Sequence, residues 1–112
     1  MFDDLIGKPY LENGRGPDGY DCYGICMEAC SRIGVALPEL KDLLNTPFNK
    51  VDDPALGDLV YINSVDERHI GFMENSNTIL QVIKTGRRGV HRININHPWI
   101  KDRIAGYYRY AR

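Results

Sequence analysis

The 112-residue chain is long enough to bury one hydrophobic core without metal or disulfide staples, and we expect a single domain over residues 1–112. Its 43% hydrophobic and 26% charged residues are typical of a soluble globular protein. The net charge of −1 provides no general attraction to nucleic acid or to an anionic membrane, so neither is an expected partner. No segment approaches the roughly 20 apolar residues that a membrane-spanning helix needs.

The N-terminal stretch, MFDDLIGKPY, is acidic and lacks the basic, apolar and small-residue zones of a signal peptide. We therefore expect synthesis in the cytoplasm, so that action elsewhere would require a larger assembly, cell lysis or a removed leader. A short helix is predicted around Phe2–Ile6. The following stretch, 7–19, is rich in glycine and proline, which predicts an ordered loop.

Helical periodicity is clear over 22–33, where apolar side chains recur on one face. At about 100° per residue this face spans an arc of about 140°. Its members are Cys22, Ile25, Cys26, Ala29, Cys30 and Ile33. Asp21 is a suitable N-cap and Gly34 a suitable C-terminal stop. A second short helix is predicted over Pro38–Leu44, with proline in its first position.

After Pro47 the pattern changes to short runs that are typical of β-strands. The predicted strands are Asp58–Ile62, His69–Met73, Thr78–Ile83, Val90–Ile95 and Ile104–Tyr110. Helices followed by closely spaced strands predict an α+β fold, in which a helix packs on an antiparallel sheet of about five strands. A basic cluster (Lys84, Arg87, Arg88 and Arg92) is interpreted as a solvated hairpin turn, with a collar for acidic substrates as the alternative.

The three cysteines, Cys22, Cys26 and Cys30, fall within nine residues. Their odd number argues against a secreted disulfide scaffold, and a structural zinc site usually needs a second, distant cysteine pair, so we expect no metal. Cys26 and Cys30 are interpreted as small buried hydrophobes. Cys22 differs because it lies in the first helical turn, where unpaired backbone N–H groups lower the pKa of a thiol and could stabilise an oxyanion.

The three histidines are candidate partners for a Cys22 nucleophile. His97 lies in an Asn-His-Pro turn and is interpreted as a surface residue. His91 shares a strand face with two isoleucines and fits a half-buried residue with its hydrogen bonds satisfied. His69 opens a predicted strand after a charged loop, where a side chain can be exposed at a strand end. Composition alone leaves the choice of pair open.

A set of short motifs resembles the NlpC-type family of cell-wall cysteine peptidases, which have a papain-like fold. The motifs follow the family order from about Leu5 to Arg109: GKPY, NGRGPDGYDCYG, GVALP, GDLVYI, HIGFM, GV-x-R-I and GYYR. The aromatic residue after the cysteine, Tyr23, together with the compact length and the lack of a leader, resembles the branch found in phage and prophage tail proteins. The resemblance implies a central helix that bears the nucleophile and packs on the antiparallel sheet.

The resemblance also implies catalytic roles for individual residues. Cys22 matches the nucleophile and His69 the general base, which takes the thiol proton and later protonates the leaving amine. Gln81 matches the third polar residue, which orients the imidazole, and His91 is the competing residue for that role. Because a glutamine carbonyl supplies no charge, we expect a weaker cysteine–histidine ion pair than a carboxylate would give.

Substrate-binding residues are implied by the same resemblance. Tyr10 matches a family tyrosine whose hydroxyl is placed to help bind the substrate or the oxyanion, with simple packing as the alternative. Asp21 could bind a substrate amine or order the loop, although its capping role suffices to explain it. Tyr20 and Tyr23 could line the cleft. Asn13 stands where the family usually has glycine, and because asparagine tolerates a left-handed backbone we expect the turn to survive.

The function that the resemblance implies is that of a cysteine endopeptidase, a hydrolase of amide bonds in peptidoglycan stem peptides. The family's usual bond joins D-γ-glutamyl to a diamino acid. No cofactor is implied, and the expected place of action is the bacterial cell wall. The expected partners are stem peptides and, if the protein is tail-associated, phage tail proteins. Two alternatives stay open: a weakly active or inactive assembly module of the same fold, and a papain-like acyltransferase or deamidase.

Overall fold

The computed structural model describes residues 1–39, 47–63, 68–84 and 89–111. Within these ranges lie one α-helix and six β-strands: α1 (Cys22–Arg32), β1 (Phe48–Val51), β2 (Leu59–Asn63), β3 (Arg68–Met73), β4 (Thr78–Val82), β5 (Val90–Asn94) and β6 (Ile104–Tyr110). Two short 3-10 helices are also present, at Asp3–Leu5 and Lys101–Arg103. The first lies inside the helix predicted over Phe2–Ile6. The helix predicted over Pro38–Leu44 falls largely outside the described residues.

The strands form one antiparallel sheet in the order β1-β6-β2-β3-β4-β5. All five predicted strands are present, and each of their ends lies within one residue of the predicted position. The expectation of about five strands is corrected to six, because β1 was missed. Its sequence, FNKV, lacks an alternating pattern, and the strand is specified instead by its pairing with β6, which sets Phe48 opposite Tyr110 with ring centroids 5.5 Å apart.

Helix α1 begins and ends close to the positions that the sequence predicts. Its N-cap is Asp21, and its C-terminal turn closes where the Val35 N–H donates to the Cys30 carbonyl at 2.9 Å. Gly34 stands at φ +84°, a left-handed conformation that glycine adopts without the clash a Cβ would cause. The helix thus ends at Arg32, one residue before the predicted end.

The sheet carries a hydrophobic cluster on each face. Helix α1 packs against β3 and β4, and the cluster on that side includes four fully buried helical residues: Ile25, Cys26, Ala29 and Cys30. Successive side chains of a strand point to opposite faces of the sheet. Leu80 therefore belongs to the cluster on the helix side, whereas Ile79 packs with Val60 and Ile100 in the cluster on the opposite face. Each fully buried aliphatic side chain of this size contributes about 1.5–3 kcal/mol to stability.

An ion pair joins the two strands that carry the GDLVYI and GYYR motifs. Asp58, which is 1% exposed and immediately precedes β2, accepts two hydrogen bonds at 2.8 Å from the guanidinium of Arg109 in β6. Its second oxygen also accepts from the Ala55 N–H at 2.8 Å. The buried carboxylate is therefore fully hydrogen-bonded, and the two motifs meet in a structural contact that sequence reasoning did not identify.

Candidate active site

The loop before α1 is organised around the backbone carbonyl of Gly14. This oxygen accepts from the Asp21 N–H at 3.3 Å and from Nη1 of Arg15 at 3.0 Å. Gly24, in the first turn of the helix, approaches so closely that a Cβ at this position would overlap the same oxygen. The glycine of the DCYG motif is therefore required by packing, and it locks the helix start onto the preceding loop.

The turn at Asn13 forms as expected for asparagine in place of glycine. Asn13 adopts φ +59°, and the turn closes where the Gly14 N–H donates to the Leu11 carbonyl at 2.8 Å. Tyr10, just before this turn, forms a parallel bridge with Tyr20, and its ring is partly buried against the helix-side core. Packing thus accounts for part of what Tyr10 does, and its role toward a substrate stays a prediction.

Asp21 is confirmed as the N-cap of α1. Its Oδ1 accepts from the Gly24 N–H at 2.6 Å and from Nη1 of Arg15 at 2.8 Å. The same guanidinium donates to both oxygens of Glu39 at 3.1 Å. Arg15 was not singled out from the sequence, although an arginine between two loop glycines close to a capping aspartate is a usable signal. Together the cap and the ion pairs hold the backbone on either side of the helix start.

The three cysteines divide as the helical pattern predicts. Cys22 is the first residue of α1 and is half-buried, whereas Cys26 and Cys30 are completely buried. Burial raises the pKa of the Cys26 thiol well above its ordinary value, and the neighbouring cysteines raise it further. Cys26 is therefore an uncharged packing residue, and Cys22 is the cysteine with access to solvent at a helix N-terminus, where negative charge is favoured.

Three predicted residues on β3, β4 and β5 form a continuous row of hydrogen bonds. His69 Nε2 lies 2.9 Å from Gln81 Oε1, and Gln81 Nε2 lies 3.1 Å from His91 Nε2. His91 Nδ1 in turn lies 2.8 Å from the Gly89 carbonyl oxygen. Gln81 thus contacts the His69 ring directly, and His91, the competing residue for that contact, lies one step behind it. Helix α1, which starts at Cys22, packs against the first two of these strands.

Tyr23 is directed into the core. The side chain is 1% exposed, its hydroxyl donates to the Pro38 carbonyl at 2.6 Å, and the Arg15 guanidinium lies over its ring at 5.9 Å. Burial raises the pKa of the Tyr23 hydroxyl, so it stays protonated. These contacts are all internal, and the predicted role of Tyr23 in lining a substrate cleft stays a prediction.

The basic cluster is only partly described, because Arg87 and Arg88 lie outside the described residues. Arg92 donates to Glu74 at 2.8 and 3.0 Å and to Asp3 at 2.6 Å, so its charge is used in ion pairs within the protein. Arg92 lies in β5, outside the predicted turn, and its ion pairs argue against a role in attracting acidic substrates at that residue. His97 is exposed, as predicted, and accepts from the Trp99 N–H at 3.1 Å.

No group of three His, Cys, Asp or Glu side chains within the described ranges is placed to hold a metal ion. No helix in the same part of the chain is both long and apolar enough to cross a membrane.

Solved structures of similar fold include the following three proteins. A lipoprotein-like NLP/P60 family protein from Staphylococcus aureus matches 97% of this chain with a TM-score of 0.75 at 19% identity. NlpC2 from Trichomonas vaginalis matches 96% with a TM-score of 0.76 at 18% identity, and an NLPC/P60 family protein from Bacillus cereus matches 98% with a TM-score of 0.72 at 24% identity. The matches cover 38%, 44% and 40% of those longer chains, and at these identities they show the fold alone.

Curated relatives share a short stretch of sequence with this chain, and a family model matches most of it. Proteins named "probable endopeptidase" from Mycobacterium tuberculosis and Mycobacterium bovis are 41% identical over 39 residues, which are 35% of this chain and 10% of those proteins. The model of the NlpC/P60 family matches residues 7–109, nearly the whole chain. The match extends from the loop before α1 to the arginine that pairs with Asp58, and the chain belongs to the NlpC/P60 family.

Proposed function

We propose that the protein is a cysteine endopeptidase that hydrolyses amide bonds in peptidoglycan stem peptides, between D-γ-glutamyl and a diamino acid. The observation that carries the proposal is the 2.9 Å contact between His69 Nε2 and Gln81 Oε1, on strands that pack against the helix beginning at Cys22. Membership of the NlpC/P60 family and the endopeptidase names of the mycobacterial relatives support the same reaction class.

The reaction begins with proton transfer from the Cys22 thiol to His69. The thiolate attacks the carbonyl carbon, and the His69 imidazolium returns the proton to the leaving amine, which produces an acyl-enzyme. Water deprotonated by His69 then attacks the thioester carbonyl, the C–S bond breaks, and the proton on His69 returns to the Cys22 sulfur as the acid product leaves. Gln81 accepts the Nε2–H of His69 throughout, so it orients the ring, and because it is neutral it adds little to the basicity of the imidazole.

Oxyanion stabilisation is assigned to the start of α1. The developing negative charge forms next to Cys22, at the end of the helix where backbone N–H groups and the helix dipole favour an anion. The Tyr10 hydroxyl is the second proposed donor. The fixed loop around the Gly14 carbonyl supports this assignment, because it restrains the backbone immediately before the nucleophile.

The test is digestion of purified peptidoglycan and of a defined stem peptide, with products identified by liquid chromatography and mass spectrometry. Wild type is expected to release the cleaved stem-peptide products, while Cys22→Ala and His69→Ala are expected to release none above background. Cys26→Ala is the matched control, since it removes a buried thiol four residues away and should retain activity. Unchanged muropeptides with folded wild type would contradict the proposal.

The biological setting that we propose is a phage or prophage tail, where local wall hydrolysis accompanies DNA entry. The support is the DCYG motif, whose aromatic residue, Tyr23, resembles the tail-associated branch of the family. The partners would then be tail proteins and the place of action the bacterial wall. Mass spectrometry of purified virions should detect the chain, and a coding gene without tail genes beside it would argue against this setting.

A further inference from the structure

His91 occupies a position directly behind the residue that contacts His69. The strand register sets Gln81 opposite His91, and both side chains are almost fully buried, at 1% and 9% exposure. The amide of Gln81 therefore has a ring nitrogen at each end, His69 Nε2 at 2.9 Å from its oxygen and His91 Nε2 at 3.1 Å from its nitrogen. The direction of this amide decides whether Gln81 accepts a hydrogen bond from the His69 ring or donates one to it.

The direction of the row is determined by the Gly89 carbonyl, which can only accept a hydrogen bond. His91 Nδ1, 2.8 Å from that oxygen, must therefore carry a proton, and in the neutral ring Nε2 is left as an acceptor. The group facing an acceptor must be the Gln81 NH₂, so the Gln81 oxygen faces His69. That oxygen requires a proton on His69 Nε2, which leaves Nδ1 of His69 with its lone pair.

The Gly89 carbonyl, at the end of this row of hydrogen bonds, is held in place by backbone contacts. Val90 donates to the Lys8 carbonyl at 2.8 Å and accepts from the Gly7 N–H at 2.8 Å, which ties the start of β5 to the N-terminal loop. Gly89 stands at φ +61° against the Lys8 carbonyl, where a Cβ would overlap that oxygen. The acceptor at Gly89 is thus part of a segment that backbone hydrogen bonds restrain.

We propose that His91 is a positioning residue for the reaction: by accepting a hydrogen bond from the Gln81 NH₂ it keeps His69 in the tautomer with hydrogen on Nε2 and no hydrogen on Nδ1. The inference rests on the proposed function, because the unprotonated Nδ1 is the atom that takes the Cys22 proton. Without His91, none of the described hydrogen bonds fixes the direction of the Gln81 amide. A rotated amide donates to His69 Nε2 and selects the opposite tautomer, in which Nδ1 already carries a proton and cannot act as base.

The experiment compares wild type with His91→Phe and His91→Gln. Phenylalanine keeps a planar ring without nitrogen atoms, whereas glutamine keeps one acceptor for the Gln81 amide and one donor for the Gly89 carbonyl. Long-range ¹H–¹⁵N spectra of the histidine rings report which nitrogen is protonated. We expect His69 to be protonated on Nε2 in wild type and His91→Gln, and to show a population protonated on Nδ1 in His91→Phe.

Steady-state kinetics on a defined stem peptide provide the second readout. We expect kcat of His91→Phe to fall on the order of tenfold with KM unchanged, and His91→Gln to recover most of the loss. A merely structural role would predict no change in the tautomer of His69 and no rescue by glutamine. A folded His91→Phe that keeps both the Nε2–H tautomer and the wild-type kcat overturns the proposal.

Wild-type spectra alone also test the inference, even if a variant fails to fold. The proposal requires a neutral His91 protonated on Nδ1 together with His69 protonated on Nε2. A wild-type His91 protonated on Nε2 would overturn it. Because the ring spectra need no turnover, failure of peptidoglycan cleavage would refute the proposed function while the tautomer measurement still decides the role of His91.

Discussion

Substitution of Gly24 by alanine sets two physical effects against each other. Within a helix, alanine is favoured over glycine by about 1 kcal/mol, so propensity alone predicts stabilisation. The Cβ of alanine, however, would overlap the Gly14 carbonyl oxygen and stand 3.0 Å from Oδ1 of Asp21. The obstructing atoms belong to a hydrogen-bonded loop backbone and a fixed cap, so relief requires the loop to move.

Overpacking of this kind destabilises a protein by about 1–3 kcal/mol, and a backbone obstacle places Gly24→Ala near the upper value. Subtracting the gain of about 1 kcal/mol from propensity gives an expected net loss of about 2 kcal/mol. Urea unfolding followed by far-ultraviolet circular dichroism measures this difference, and the m-value should stay unchanged. The loop shift should also slow alkylation of Cys22, which directly follows the cap.

Ser31→Ala is the matched control, because Ser31 is an exposed residue of the same helix whose hydroxyl bonds only the Glu28 carbonyl among the described contacts. It is expected to be neutral or to stabilise by up to about 0.5 kcal/mol, as propensity predicts. If Gly24→Ala were stabilised by about as much as propensity alone predicts, the close approach to Gly14 would not be a constraint, and the reasoning would be refuted.

Three further predictions follow from the contacts of other residues. A hydrogen bond from Arg32 lowers the pKa of Asp4 from 3.8 to about 2, so the ionised Asp4 stabilises the folded protein above pH 3.8. Urea titrations should therefore show that Asp4→Asn is less stable than wild type at pH 7 and that the difference disappears near pH 2. Asp58→Asn should lower stability by about 1–3 kcal/mol in the same assay, because the new NH₂ group faces an N–H donor whichever way the amide turns. Equal stability of the variant would contradict the hydrogen bonds described for the Asp58 carboxylate. Iodoacetamide should label Cys22 alone in the folded protein and all three cysteines in urea, and native labelling of Cys26 would contradict its burial.

Most of the fold could be predicted from local patterns. The helix was recognisable because its apolar residues repeat with helical spacing between Asp21 and Gly34. The capping preferences of these two residues depend only on residues that are near in sequence. Five strands were recognisable from short apolar runs between turn residues. Strand β1 was not, because its four residues have no pattern of their own and become a strand only when β6 supplies hydrogen-bond partners, which is a non-local event.

The site was predictable to a smaller extent. Motif resemblance selected Cys22, His69 and Gln81, and the direct contact of the last two could be anticipated from adjacent strands. The choice between Gln81 and His91 as the partner of His69 could not be settled, since it depends on strand register and side-chain direction across β4 and β5. The structure shows that the two residues are not alternatives: both belong to one hydrogen-bonded row.

The strand order has a consequence for how the chain acquires its structure during synthesis. Strand β6 lies between β1 and β2, so among the described strands β1 has no neighbour until β6 has been made. The helix and the β2–β3 and β4–β5 hairpins involve segments close in sequence and can form early. Until Ile104–Tyr110 emerges from the ribosome, β1 and β2 each expose an unpaired edge, and the partly made protein is then most open to aggregation or to chaperone binding.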